Sequence, residues 1–176
     1  VPKVDETREF IEIANDFSNP LDLVREAISN SFDAFASKIE ILFSTIEEYG
    51  ETISLITIRD NGEGMNREGL QAFFDLGNSL RRGSPSSIGE KGHGTKVYFN
   101  SRSIEVITTQ DEITLHAHME EPFRKLHDGI IPKVKVQRVK SESRDGTEIK
   151  IKGYHNNRRD RFTHQILKDY VIWFTK

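Results

Sequence analysis

The stretch from Lys38 to Asp60 constrains the fold most: KIEILFSTIEE, through its first half, and TISLITIRD alternate apolar and polar residues on either side of a turn near Tyr49-Gly50. A period of two sends successive side chains to opposite faces, so both segments read as strands, paired as a hairpin. Just upstream, Asn19-Pro20 offers a capping side chain and a first-turn proline to LDLVREAISNSFDAFA, where Leu21, Val24, Ile28, Phe32 and Phe35 recur at helical spacing. This predicts an amphipathic helix over roughly 20–36.

The second strand runs directly into DNGEGM, a glycine-punctuated turn. NREGLQAFFDLG then reads as a short helix capped by Asn66 and ended by Gly77. Residues 78–91, NSLRRGSPSSIGEK, combine Gly, Pro and Ser with little to bury and form the best candidate for a mobile lid. GHGTKVYFNS reads as a glycine-rich loop opening a helix. SIEVITT, EITLHAHM, IPKVKVQRV and GTEIKI read as further strands, and RDRFTHQILKDYVIWFTK has the apolar spacing of a final helix. Val1 as first residue and the apolar end suggest a trimmed chain, the N-terminal part of a longer protein; its 176 residues suit one domain.

Composition removes several functions. The chain has no cysteine, which excludes disulfides, thiolate catalysis and cysteine-based zinc sites. With 25 Lys+Arg against 28 Asp+Glu there is no global basic footprint for nucleic acid, although a local patch is not excluded. His116 and His118 share a strand face, read either as a metal pair or, by preference, as a solvated face. No apolar run approaches the roughly 20 residues of a membrane span and no signal peptide is evident, so the expectation is a soluble cytoplasmic protein that engages no membrane.

Three polar constellations remain. Glu26 and Asn30 stand four apart on the predicted helix, on one face, with Asp33 near it. A carboxylate can align or deprotonate a water, and an amide oxygen suits Mg²⁺ held mainly by phosphates and water. The alternative is the solvated face of a surface helix, to which Arg25, Ser29 and Lys38 belong. Asp60 ends a β-branched strand ahead of Gly62 and Gly64, where a buried carboxylate can accept from an exocyclic amine; a plain Asp-Asn-Gly turn is the competing reading. Gly89-Glu90-Lys91-Gly92-His93-Gly94-Thr95-Lys96 offers glycines, lysines and a helix start that favour phosphate. Its spacing fits neither a Walker A loop nor a dinucleotide fingerprint.

Taken together, REAISNSFDA, RDNGEGM, GEKGHGTK and Gly146-Thr147 stand in the order and spacing of the motifs of the GHKL superfamily. That superfamily comprises gyrase B, the heat-shock-ninety chaperones, MutL-type proteins, microrchidia ATPases and histidine kinases, and the resemblance covers essentially the whole chain. FFDLGNSLRR looks most like its heat-shock-ninety and microrchidia counterparts.

The resemblance implies Mg²⁺-dependent ATP binding. In the family's pattern Glu26 activates the hydrolytic water and Asn30 binds Mg²⁺. Asp33 and Ala34 line the pocket, Asp60 reads adenine, and Gly62, Gly64 and Met65 shape the base site. Gly92, His93 and Gly94 offer N–H groups to phosphates at the head of Thr95 and Lys96, and Thr147 supports the adenine. Lys91 or Lys96 meets the γ-phosphate or stays a solvated loop lysine. Residues 67–91 correspond to the ATP lid. The expected fold is an α+β two-layer sandwich, the Bergerat ATP-binding fold, its mixed, mostly antiparallel sheet having helices on one face. The expected activity is slow hydrolysis of ATP to ADP and phosphate, driving a conformational switch and an ATP-dependent homodimer in the full protein. A non-hydrolysing ATP-binding switch is the alternative. A histidine-kinase catalytic domain is weaker, because Glu26 marks the hydrolysing branches. Nothing in the sequence identifies a protein or nucleic-acid client.

Overall fold

The computed structural model describes residues 7, 8, 11, 12, 19–75, 94–140, 143–158 and 162–174. The hairpin forms as its alternation demands. β1 (Ile39–Glu48) and β2 (Glu51–Asp60) pair in antiparallel register from Ile39 opposite Asp60 to Glu48 opposite Glu51. Tyr49 and Gly50, at φ 51° and 78°, close it with the doubly left-handed turn that matches strand twist.

The other four predicted strands are β3 (Ser103–Gln110), β4 (Ile113–Glu120), β5 (Val134–Lys140) and β6 (Gly146–Lys152). They complete a six-stranded sheet of order β1-β2-β6-β3-β4-β5. Every ladder is antiparallel, so the mostly antiparallel sheet expected is antiparallel throughout. The late strand β6 slots between β2 and β3, closing the sheet across its middle.

Residues opposite one another in such ladders share a face. Ile56 and Ile58 of β2, Ile151 and Ile149 of β6, Ile104 and Val106 of β3, and Met119 and Ala117 of β4 therefore form one apolar surface, all buried. The helical layer covers it. α1 (Asp22–Asp33) contributes Leu23, Val24 and Ala27, and α2 (Arg67–Phe74) contributes Leu70, Phe73 and Phe74. A 3-10 helix, Gly94–Phe99, adds Val97, Tyr98 and Phe99. Each fully buried side chain of this kind is worth about 1.5–3 kcal/mol relative to exposure.

Local signals set the helix ends. Asn19 Oδ1 accepts from Leu21 N–H at 3.0 Å ahead of α1, and Asn66 Oδ1 accepts from Gly69 N–H at 2.9 Å, capping α2 as expected. α1 is shorter than the predicted 20–36, since the chain turns off at Ala34 and Phe35 takes φ 56°. Phe35, beyond the helix, is 78% exposed, and Phe32, within it but off the packed stripe of Leu23, Val24, Ala27 and Ser31, is 68% exposed rather than buried. Two further helices follow, α3 (Pro122–His127), absent from the sequence reading despite its first-turn proline, and the expected α4 (His164–Phe174).

The opposite face of the sheet is polar. Arg59 pairs with Glu148, Lys150 bridges Glu148 at 2.9 Å and Glu105 at 3.6 Å, and His116 sits 2.7 Å from Glu105. His118 lies 3.4 Å from Glu120. Both histidines are partly exposed on this face; among the described residues no group of three acidic or histidine side chains is placed to hold a metal. No helix among them is long and apolar enough to cross a membrane.

Candidate functional site

β2 delivers Asp60 at its last residue, on the helix-covered face, directly opposite Thr147 of β6, which is in turn opposite Thr108 of β3. Three polar side chains thus stand in a row where the apolar face gives out. Asp60 Oδ1 accepts from Gly62 N–H at 2.9 Å, and the Ser31 hydroxyl of α1 approaches Oδ2 at 3.5 Å, a long contact that leaves Oδ2 capacity for a better donor. Burial pushes the Asp60 carboxyl pKa up, opposed by Gly62 N–H, the Ser31 hydroxyl and Thr147 N–H.

Thr108, fully buried, ties the floor together. Its hydroxyl accepts from Met65 N–H at 2.7 Å, lies 3.0 Å from Thr147 Oγ1 and reaches Gly146 O at 3.4 Å. The turn from 61 to 65 is thereby clamped to the sheet on one side and to α1 on the other, where Glu63 N–H donates to Ala34 O at 2.9 Å. Gly64, at φ 70°, is obligatory: a Cβ there would lie 1.9 Å from Thr109 O. Asn61 Oδ1 accepts from Ser37 N–H at 3.0 Å and Lys38 N–H at 2.8 Å, fixing the start of the turn.

Glu26 and Asn30 project from α1 toward the 3-10 helix. A Cβ on Gly94 would fall 1.9–2.1 Å from the atoms of the Glu26 carboxylate, so the glycine backbone lies directly against that group. Burial raises the Glu26 pKa and nearby Asp33 adds to the rise; Asn30, Arg25 and Lys96 oppose it. The Asn30 amide is near enough to oppose the shift. Yet its buried Nδ2, like the buried Tyr98 hydroxyl, meets no partner in hydrogen-bonding geometry among the described residues. Orphaned buried donors are uncommon and mark a polar site that the described residues alone do not complete.

Thr95 and Lys96, expected at a phosphate loop, turn into the interior at 5% and 3% exposure. Thr95 Oγ1 donates to Phe73 O at 2.9 Å. Lys96 Nζ donates to Phe73 O at 3.3 Å and to Thr95 Oγ1 at 3.2 Å, and stands 5.7 Å from the Phe99 ring centroid. Lys96 is therefore no solvated loop lysine. Burial lowers its pKa to about 8 against the pull of Asp75 and Glu26. At the end of α1 Asp33 is exposed and Ala34 half-buried. Gly92, His93, Lys91 and the lid beyond Asp75 lie outside the described residues.

The structure thus brings Asp60, Gly62, Gly64, Met65, Ala34 and Thr147 into one cluster and Glu26, Asn30, Gly94 and Lys96 into a second on the same side of the sheet. Ser31, Tyr98 and Thr108 were missed by the sequence reading. For Thr108 a signal existed: in SIEVITTQ it falls on the apolar period set by Ile104 and Val106.

A two-layer α/β sandwich with polar clusters at one rim of its helix-covered face is the architecture of an ATP-binding domain of the Bergerat type. Its likeness to the topoisomerase IV ATP-binding domain of Francisella tularensis, solved with a small-molecule inhibitor, has a TM-score of 0.54 at 21% identity, covering 87% of this chain and 74% of that one. The sequence matches, over residues 19–150, the family described as histidine kinase-, DNA gyrase B-, and HSP90-like ATPase. The chain belongs to that family, the GHKL ATPases, and is an ATP-binding domain. Curated relatives are more distant in extent. DNA mismatch repair protein MutL of Thermosipho africanus is 47% identical over 53 residues, 30% of this chain and 8% of that protein. MutL of Endomicrobium trichonymphae is 46% identical over 52 residues, with the same coverage of 30% and 8%. The matched segment is a small part of either relative.

Proposed function

We propose that this domain binds Mg-ATP with Asp60 reading the adenine, hydrolyses it slowly with Glu26 as the base, and serves a larger cytoplasmic protein as a nucleotide-driven switch that dimerises around bound ATP. The observation that carries the reading is the pairing of a buried Glu26 carboxylate, pressed on the Gly94 backbone, with an incompletely bonded Asn30 amide one turn along α1.

Asp60 keeps an under-used carboxylate oxygen at the sheet rim, a match for the exocyclic amine of adenine. Thr147 and Thr108 hold the floor beneath it, and Met65 and Gly64 wall the base site. The donor set fits a hard cation delivered with phosphates: a neutral amide at Asn30 beside a carboxylate, and no self-sufficient cluster among the described residues. Asn30 is the residue that would hold Mg²⁺. Bound there, the ion would neutralise charge on the phosphates. Glu26 does the rest of the chemistry: its raised pKa makes it a stronger base than an ordinary glutamate, able to orient a water and take its proton. Backbone N–H groups at the head of the 3-10 helix are suited to stabilise the charge that develops.

Glu26→Ala tests hydrolysis apart from binding. Phosphate release should fall by about 10²–10⁴-fold, the usual worth of a general base, while ATP affinity by calorimetry stays within a few-fold. In wild type the acidic limb of the rate profile should lie above the range of an exposed glutamate, because the protonated carboxyl cannot act and burial holds on to that proton. ATP binding without any release above that of the variant would leave the switch and remove the enzyme.

A further inference from the structure

The far edge of the sheet carries a feature that nucleotide chemistry does not use. Among the described residues β5 pairs only with β4, so its outer side presents a row of backbone groups with no ladder partner among them. It reads VKVQRVK, with three cations, no anion and every residue after Val134 exposed. Register splits its side chains between the faces. Val134, Val136 and Arg138 lie opposite Met119, Ala117 and Leu115 on the helix-covered face, and Lys135, Gln137 and Val139 lie opposite His118, His116 and Thr114 on the other.

Val136 on the helix-covered face and Val139 on the other are 51% and 57% exposed, and Ile130 and Ile131 in the segment leading into the strand are 54% and 44% exposed. Residues 121–140 hold six Lys+Arg (124, 125, 133, 135, 138, 140) against two acidic residues (121, 128), a net charge of +4 within a chain of net −3. None of Lys133, Lys135, Arg138 and Lys140 forms an ion pair among the described residues.

We propose that the β5 edge is a docking surface for an acidic, extended peptide of a partner protein, which joins the sheet as an added strand. Main-chain hydrogen bonds to the open edge would provide affinity, and on each face an acidic side chain would meet a cation, Lys135 or Arg138, and an apolar one a valine, Val139 or Val136. Self-pairing of two β5 strands would bring together two segments that each carry three cations and no anion, and this net repulsion disfavours a second copy at this edge. The exposed valines favour a peptide over nucleic acid, whose phosphates need only the cations. The bland alternative is that the lysines merely guard the edge from aggregation.

The probe is a fluorescein-labelled decapeptide containing Glu-Val-Glu-Thr-Val-Glu-Val, the antiparallel complement of β5 read from Lys140 back to Val134, followed by anisotropy against the whole chain. A version with a central proline, which cannot complete a ladder, is the control, and a single-stranded DNA decamer of matched charge forms a third arm. Binding of the complementary peptide should weaken at least ten-fold with the proline control and at least ten-fold with K135E/R138E. ATP affinity of that variant, whose changes are on exposed side chains far from Asp60, should be unchanged. Equal binding of the proline peptide overturns strand addition. Preference for the DNA assigns the patch to nucleic acid, and no binding by any arm leaves the lysines as edge guards; each overturns the proposal. Failure here leaves the ATP reading untouched, because the two sites share no residue.

Discussion

Thr108→Val tests whether one buried hydroxyl holds the base-side floor together. The substitution keeps the shape of the side chain and removes only the hydroxyl, so no cavity opens. Thr108 is 0% exposed, and its hydroxyl is the recorded partner of Met65 N–H at 2.7 Å and of Thr147 Oγ1 at 3.0 Å. Valine would leave Met65 N–H buried without an acceptor. A lost hydrogen bond costs about 1 kcal/mol and an orphaned buried donor about 1–3 kcal/mol, so the variant should lose about 2–4 kcal/mol. In a domain of this size that lowers Tm by about 4–16 °C. The assay is urea and thermal unfolding monitored by circular dichroism, with Thr108→Ser as control. Serine keeps the hydroxyl and loses one methyl, worth roughly 1 kcal/mol. ATP affinity should also fall in the valine variant and be largely kept in the serine one, because the turn carrying Gly64 and Met65 is released only by the former. A valine variant at least as stable as serine would refute the clamp.

Two other perturbations probe the second cluster. Gly94→Ala would drive a methyl group to within 1.9–2.1 Å of the Glu26 carboxylate atoms; it should abolish measurable phosphate release and destabilise the fold by about 1–3 kcal/mol, read by calorimetry and denaturant midpoint. Lys96, held near pKa 8 against 10.5 when unfolded, binds fewer protons folded than unfolded between those values, so its ionisation penalty is full below pH 8 and fades as pH rises. Relative to Lys96→Met, wild type should gain about 2 kcal/mol of stability between pH 7 and pH 9.5 in urea titrations; a constant difference would mean the buried amine is not the titrating group.

What was legible in the sequence was local. The Tyr49-Gly50 hairpin, the Asn66 cap and the later strands follow from periodicity and turn chemistry, which act over a few residues. The placing of β6 between β2 and β3 does not, since Asp60 meets Thr147 and Ser54 N–H meets Asn157 Oδ1 across separations of about a hundred residues that no local pattern encodes. For the same reason Thr108 and Ser31 went unseen: threonine and serine are ordinary on strands and helices, and only tertiary register turns them toward Asp60. Phe35 misled because helical spacing alone does not say where a helix ends, and Phe32 because the face that packs runs through Ala27 and Ser31 instead. Burial removes the solvated-loop reading of Lys96, which rested on a lysine being normally exposed. Here the 3-10 helix turns it inward, where Phe73 O and Thr95 Oγ1 receive it.

The central claim, that Asp60 reads adenine, is tested most directly by titrating ATP and GTP calorimetrically into wild type and Asp60→Asn in the presence of Mg²⁺. Wild type should bind ATP and reject GTP, because the guanine oxygen would face a carboxylate. Asn should weaken ATP binding by about ten-fold or more, as expected when a charged hydrogen bond worth about 1.5–3 kcal/mol is lost. Unchanged ATP affinity in Asp60→Asn, or equal affinity of wild type for the two nucleotides, would contradict the account.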